Sequence, residues 1–230
     1  MKKKIKFLIV AAHPDDEILG CGATAAKLIS NGHEGHLVIV SEGFTARDAE
    51  RNTVKRFKEI NYLKKACIRS NKAIGVKKIS FLGYPDNRLD QIPVLEIVKK
   101  LEKIIKSLKP TIVFTHNYGD LNIDHRLVHQ ATITATRPII GSSVKKVLAF
   151  EVLSSSEWNF AEKDKFIPNY FVDINKYLRK KLKALNFYKS EMRKWPHPRS
   201  LKGVINLSEH RGAQVGLNKA EAFMILRDID

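Results

Sequence analysis

Apolar residues along the chain come in short unbroken runs, separated by stretches of helical spacing. Residues 5–12 are apolar except for Lys6, the pattern of a strand buried on both faces. Residues 15–31 carry Ile18, Ala25, Leu28 and Ile29 on one helical face and stop at Gly32, a residue suited to the left-handed turn that ends a helix. The alternation then continues. Residues 37–40 read as a second buried strand, and the polar stretch 45–74 as a helix, whole or broken, closed by Gly75. Residues 78–82 read as a strand running into the turn Gly83-Tyr84-Pro85-Asp86-Asn87. An amphipathic helix is expected over 94–108, a strand over 111–115, a helix over 126–136 and a strand over 144–152. In the tail, 177–192 has helical spacing, Trp195-Pro196-His197-Pro198 excludes a helix, and 221–226 suits either a helical turn or a strand. Strands alternating with helices of this length predict right-handed crossovers and an α/β fold. The expected architecture is a single-domain, mostly parallel Rossmann-like sheet with helices on both faces and its site at the C-terminal ends of the strands. No repeat, low-complexity tract or long linker interrupts the 230 residues. One domain over 1–230 is therefore expected, with the tail packed over the sheet.

Composition narrows the class. With 43% hydrophobic and 28% charged residues the chain can bury a core, which excludes a disordered protein. Only Cys21 and Cys67 are present, which excludes a disulfide scaffold and fits buried thiols in a reducing cytoplasm. The first residues, lysines and then an apolar run, resemble a signal peptide. The run is short, however, and passes straight into His13, Asp15, Asp16 and Glu17, so it reads as a strand. No stretch approaches the roughly 20 apolar residues of a membrane span, and a cytoplasmic location is expected. The balance of 41 Lys+Arg against 24 Asp+Glu gives +17. Such an excess suits nucleic-acid binding, an electrostatic funnel for an anionic substrate, or a lysine-rich surface that serves solubility alone. The lysines are scattered and carry no interleaved aromatics, so no nucleic-acid partner is expected. A homo-oligomer stays open.

Two predicted strand ends are dense in polar groups. The first continues into Ala12-His13-Pro14-Asp15-Asp16-Glu17. The fourth continues into Thr115-His116-Asn117-Tyr118-Gly119-Asp120-Leu121-Asn122-Ile123-Asp124-His125. Imidazole and carboxylate are the ligands of zinc and related divalent ions. His13 and Asp16 at a strand-to-helix turn can share one crevice, and a third ligand from the fourth strand's loop would leave a position open for water, as in catalytic sites. The plainer alternative is that Asp15 or Asp16 caps the adjoining helix. His33, His36 and His210 lack such a context and read as surface residues.

The segment Ala12-His13-Pro14-Asp15-Asp16-Glu17 resembles the signature of the PIG-L/LmbE-like deacetylases. Leu82-Gly83-Tyr84-Pro85-Asp86, the Asp124-His125 pair, Arg199-Ser200, Arg211-Gly212 and Ala220-Glu221-Ala222-Phe223 extend the resemblance across most of the chain. These enzymes remove acetyl groups from N-acetylglucosamine-type sugars on lipids, thiols, antibiotics and nucleotide-linked precursors. Position by position, the resemblance implies His13, Asp16 and His125 as ligands of Zn2+, with Fe2+ as the alternative ion. Asp15 would be the general base. Asp86 would face sugar hydroxyls, or be an ordinary turn residue. Asp124 would orient its neighbours, or cap the helix that His125 opens. Many family members have a histidine where this chain has Asn122, a residue able to donate a hydrogen bond to an oxyanion but unable to supply a proton. His197, His116 and His129 are the other imidazoles within reach of such duty, and Asp15 can itself return the proton it takes. Arg88 is a candidate contact for a phosphate on an activated sugar.

The expected activity is therefore metal-dependent hydrolysis of an N-acetylated amino sugar or its conjugate, a small molecule that is anionic if the funnel operates. The alternatives are hydrolysis of another small amide at the same site, and a catalytically silent basic module that binds sugar or nucleic acid.

Overall fold

The computed structural model describes residues 4–230, so Lys2 and Lys3 of the basic N-terminus lie outside the described residues. Among the described residues seven strands and six α-helices build a single domain. In chain order they are β1 (Lys6–Ala11), α1 (Asp16–Ser30), β2 (Glu34–Ser41), α2 (Phe57–Ile74), β3 (Lys78–Tyr84), α3 (Val94–Leu108), β4 (Ile112–His116), α4 (Ile123–Ala135), β5 (Lys146–Phe150), β6 (Tyr170–Asp173), α5 (Leu178–Leu185), α6 (Leu201–Ala213) and β7 (Ala220–Asp228). They form one sheet in the order β3-β2-β1-β4-β5-β7-β6. The first five strands are parallel, and β7 and β6 add an antiparallel edge. The chain winds outward from β1 to β3 and then crosses to β4 on the other side of β1. The crevice beyond the carboxyl ends of β1 and β4 is thus the switch point where ligands bind in such sheets.

β1 has side chains buried on both faces. Phe7, Ile9 and Ala11 join a core with α1, α2 and α5, and Leu8, Val10 and Ala12 join a second core with α3 and α4. That is why its sequence is an unbroken apolar run rather than an alternation. Both cysteines are free and buried, and burial pushes their thiols up.

Several boundaries differ from the sequence expectation. The stretch 45–74 is not one helix. A short 3-10 turn (Thr45–Arg47) precedes an irregular loop, and α2 begins only at Phe57. Polar side chains hold that loop open: Arg51 bonds Glu42, and Asp48 takes Lys55 and Arg56. The tail does not merely cover the sheet. Segment 221–226 lies in the nine-residue strand β7, beside β6, which carries no clear strand signal. α5 ends at Leu185, short of 192, and α6 is a helix the apolar spacing did not mark. His36 is half-buried on β2, its Nε2 2.9 Å from Ser80 Oγ, rather than on the surface.

The tail is also tied into α1. Cys21 (φ −142°) breaks that helix, freeing the backbone N–H groups of Ala23 and Thr24. Both donate to the Glu221 carboxylate (3.0 and 2.6 Å). Lys181 Nζ reaches Glu221 Oε1 and the Leu19 carbonyl, each at 2.7 Å.

Candidate active site

The turn after β1 brings His13, Asp15 and Asp16 into the crevice. Asp15 sits at the start of α1 with φ +118° and makes no capping hydrogen bond with its side chain. The capping alternative therefore fails for Asp15. This φ is costly for a residue with a Cβ. It is held by the Asp15 N–H donating to Glu17 Oε2 (3.0 Å) and by Arg199 Nη1 lying 3.1 Å from Asp15 Oδ2. Glu17 is buried with Asn71 Nδ2 and the Tyr188 hydroxyl donating to its other oxygen (2.7 and 2.5 Å). Burial pushes its carboxyl up to about 7 against the pull of these donors.

From the β4 side, the loop 117–122 and the first turn of α4 supply the rest. Asn122 is the N-cap of α4, its side chain accepting from the N–H groups of Asp124 and His125. That cap extends α4 upstream of the expected residue 126 and points His125 at His13. Three atoms converge. His125 Nε2 lies 3.2 Å from Asp16 Oδ2 and 3.3 Å from His13 Nδ1, and His13 Nδ1 lies 3.3 Å from Asp16 Oδ2. A tetrahedral zinc with donors at about 2.0–2.1 Å holds those donors about 3.3–3.4 Å apart. The nearly equilateral triangle is the size of one face of such a site, so the residues fit the ion.

Each ring turns its other nitrogen to a carboxylate. His13 Nε2 is 3.1 Å from Asp124 Oδ2 and 3.2 Å from Asp86 Oδ1. His125 Nδ1 is 3.2 Å from Asp120 Oδ2. Such outward partners set which nitrogen carries the proton and leave the inward lone pair free. Asp124 is not the cap of α4: its oxygens accept from the N–H groups of Asn87 and Leu89 (2.8 and 3.1 Å). Asp120 is the site residue that sequence reasoning missed. Its oxygens take the hydroxyls of Ser155 and Ser156 and the Asn122 N–H, partners that no local pattern announces.

Among the described residues two further groupings have metal-ligand spacing, His116-Asp120-His125 and His13-Asp86-Asp124. In the first, His116 Nε2 is taken by the Ala12 N–H at 2.9 Å; in the second, Asp86 and Asp124 meet His13 through Nε2, the ring nitrogen turned away from the triangle. His116 instead stacks on His125 with centroids 3.9 Å apart, and His129 Nδ1 meets the His116 carbonyl at 2.8 Å. The charge pattern favours a cation at the triangle. Burial opposes the His125 imidazolium, yet Asp16 and Asp120 outweigh it and lift the group to about 9. Burial likewise opposes the Asp16 and Asp120 carboxylates. The histidines hold Asp16 well below the usual range, and His125 with Ser155 brings Asp120 down to about 2. For Asp15, burial wins over Arg199 and its pKa is raised.

A cavity of about 320 Å³ opens over His13, Asp15, Asp16 and His125, with Asp86, Asn122, Arg47, Glu191 and Arg199 in its walls. Four expected positions need correction or refinement. Asp86 reaches the wall but spends its oxygens on His13 and the Ala46 N–H, leaving little for sugar hydroxyls. Arg88 lies outside the wall and donates to the Ala49 carbonyl (2.9 Å). Arg47, bonded to Glu191, stands in the wall instead. His197 is also outside the wall, packed edge-on to Trp158 with Nδ1 accepting the Arg199 N–H. Asn122 lines the cavity, but its amide nitrogen donates to Asn87 Oδ1 at 2.8 Å. The walls carry Asp15, Asp16, Asp86 and Glu191 against two arginines, so the cavity is not a positive funnel. Part of the lysine excess stands at the opposite pole, where β1, β3 and β5 begin with Lys6, Lys78 and Lys146.

A switch-point crevice with two carboxylate-backed histidines, an aspartate completing a metal-sized triangle and a second aspartate paired with Arg199 has the donor set that could hold a metal ion beside a base. The chain belongs to the PIG-L family: residues 8–136 match the family described as GlcNAc-PI de-N-acetylase. It is 28% identical over 194 residues to the uncharacterized deacetylase YaiS of Escherichia coli (strain K12), across 82% of this chain and 92% of that protein. It is 28% identical over 198 residues to the diacetylchitobiose deacetylase of Thermococcus kodakarensis, across 81% of this chain and 70% of that one. Its fold superimposes on the N,N'-diacetylchitobiose deacetylase from Pyrococcus horikoshii with a TM-score of 0.78 at 23% identity, covering 98% of this chain and 85% of that chain. No helix among the described residues is long and apolar enough to cross a membrane.

Proposed function

We propose that this chain is a divalent-metal N-deacetylase, with zinc as its ion, that hydrolyses the N-acetyl group of an amino-sugar conjugate to acetate and a free amine. The observation that carries the proposal is the His13-Asp16-His125 triangle with Asp15 in the wall of the same cavity. The relatives named deacetylases support the reaction class, and the substrate named for one of them supports an amino sugar. His13, Asp16 and His125 hold the ion, with Asp86 and Asp124 steadying the first ring and Asp120 the second. When bound there, the ion acidifies water and polarises the amide carbonyl.

The chain's own groups do the rest. Asp15 accepts a proton from the water that attacks the acetyl carbon, and Arg199 holds that carboxylate in place. The C–N bond then breaks, and the leaving nitrogen must gain a proton. Asn122 cannot give one, and His197 is not in the wall, so Asp15 returns the proton it took. Glu191 is engaged by Arg47, and Asp86 by His13. The test is acetate release from a panel of free, nucleotide-linked and lipid-linked N-acetyl sugars, by zinc-loaded and chelator-treated protein. Acetate release that survives complete metal removal would refute the proposal.

A further inference from the structure

At the pole opposite the catalytic cavity, a concavity of about 430 Å³ lies where α3 and α4 end and the chain turns toward β5. Ile105, Lys106 and Lys109 line it from the end of α3, and Arg137, Ile139 and Ile140 from the loop after α4. The chemistry proposed above uses none of these residues. α4 stands between the two sites: His125 is in its first turn, and Ala135, at its end, is in this wall, about 15 Å further along the axis.

The wall carries three cations and one carboxylate, that of Glu102. Glu102 Oε1 accepts from Arg137 Nη2 at 3.1 Å, and its Oε2 accepts from Lys99 Nζ, outside the wall, at 2.9 Å. Lys106 and Lys109 are thus left without a counter-charge in the wall. Lys109 stands at φ +52°, the left-handed conformation in which helices commonly end on glycine, so the chain keeps a charged side chain where glycine would be the easier residue. Helix C-terminal carbonyls oppose an anion, but those at hand are engaged. Arg227 Nη2 donates to the Thr136 carbonyl at 2.5 Å, and the Lys109 N–H to the Ile105 carbonyl at 2.8 Å. The rim is apolar: Ile139 is 68% exposed and Ile140 fully exposed.

Two uncompensated cations beside a half-used guanidinium match a dianion, and lysine with arginine is the set that takes phosphate. The volume is of small-molecule size and larger than a phosphate ion fills, which leaves the isoleucines for an apolar body. We propose that this pocket is a second ligand site that takes an organic phosphate. The phosphomonoester lies on Lys106, Lys109 and Arg137, and the rest of the ligand lies against Ile105, Ile139 and Ile140. The inference is independent of the deacetylase reading.

The test is an amide NMR titration of the zinc-loaded full chain at about pH 7.5, where a phosphomonoester is a dianion and a sulfate ester a monoanion. The probes are phenyl phosphate, phenyl sulfate and inorganic phosphate. Phenyl phosphate should shift the resonances of residues 105–109 and 137–143. It should bind about fivefold more tightly than phenyl sulfate, the worth of one more charge at about 4 Å in a wet site. Burying ring surface equal to about two methylenes, each worth about fourfold, should place it roughly 15-fold above inorganic phosphate. Lys106→Gln with Lys109→Gly removes both charges, and glycine fits the backbone of its position; phenyl phosphate should weaken about 25-fold. Lys77→Gln, exposed at the same pole but outside the wall, should change it by less than about twofold. Ile139→Ser with Ile140→Ser, both exposed, should bring the two phosphates within about threefold of each other. Shifts confined to the catalytic cavity, equal affinity for phenyl phosphate and phenyl sulfate, or an affinity unmoved in the Lys106 and Lys109 double variant overturns the site. No saturable binding below about 10 mM overturns it as well.

Discussion

Replacing Asp120 by asparagine tests whether the carboxylate behind His125 governs the metal site. The side chain is fully buried, and its oxygens serve Ser155, Ser156, the Asn122 N–H and His125 Nδ1. Asparagine keeps the shape and loses one acceptor. If its NH2 turns to His125, Nδ1 must give up its proton to accept, and the proton moves to Nε2. That nitrogen faces Asp16 and His13, so a lone pair of the triangle is lost. If the amide flips, the NH2 faces the Ser155 hydroxyl and the Asn122 N–H, and the Asn122 donor loses a partner. The first orientation removes a metal-binding lone pair, the second a buried hydrogen bond of about 1–3 kcal/mol, and loss of such an outward partner typically lowers metal affinity about 10–100-fold. Zinc affinity measured by competition with a chromogenic chelator should therefore weaken about 10–100-fold while the thermal unfolding of the metal-free protein shows a folded domain. A folded Asp120→Asn protein whose zinc affinity lies within threefold of the wild type would refute the reasoning.

Other substitutions separate holding the ion from using it. His13→Ala and His125→Ala should each empty the site in metal analysis and stop acetate release, whereas Asp15→Asn should keep the ion and lower kcat by roughly 100-fold or more; near-normal turnover in Asp15→Asn removes it from the mechanism. Arg199→Met should keep the ion and lower kcat about 10–100-fold through a misplaced base, with Arg199→Lys recovering part of the loss; unchanged kcat in Arg199→Met shows the ion pair to be idle. For Glu17 the folded pKa of about 7 lies above the ordinary value of 4.5, so the folded state binds the proton more tightly. The stability this contributes is full below pH 4.5 and is lost as pH rises through 7, about 3 kcal/mol in all. Urea unfolding with chelator present should show that decline, and Glu17→Gln should abolish it; a flat wild-type curve between pH 5 and 7 means that Glu17 folds as the carboxylate.

The parallel strands were legible because each is a short apolar run with neighbours on both faces, and β1 is the clearest case. The helix over 94–108 was legible for the complementary reason, one apolar stripe on a charged helix. Where burial does not decide, the pattern is silent. β6 is only half-buried at the edge, and the residues 48–56 are shaped by ion pairs whose partners lie up to nine positions away. That His13, Asp16 and His125 come together could be guessed because His13 and Asp16 adjoin on one turn and His125 stands beside an aspartate in the resembling motif. Asp120 could not, since its meaning comes from Ser155, Ser156 and the ring of a residue one loop further on. Arg88 misled for the converse reason: proximity to Asp86 in sequence says nothing of direction, and its guanidinium turns to the Ala49 carbonyl.

The family match ends at residue 136, yet residues beyond that point also brace the turn that carries the proposed base. Arg199 pins the Asp15 carboxylate. Tyr188 closes the hydrogen bonding of Glu17, whose other oxygen holds the Asp15 backbone. Glu221 satisfies the N–H groups freed where Cys21 breaks α1, and Lys181 locks the carbonyl of Leu19 to that same carboxylate. A buried pair of this kind is costly to leave half-made, about 3–5 kcal/mol when one partner is removed. It ties the first half of α1 to the antiparallel edge of the sheet. The first part of the chain supplies the proposed metal ligands, and the last part supplies an ion pair to the strained aspartate beside them. The parallel half-sheet alone would therefore carry the proposed ligands without Arg199 to hold the proposed base.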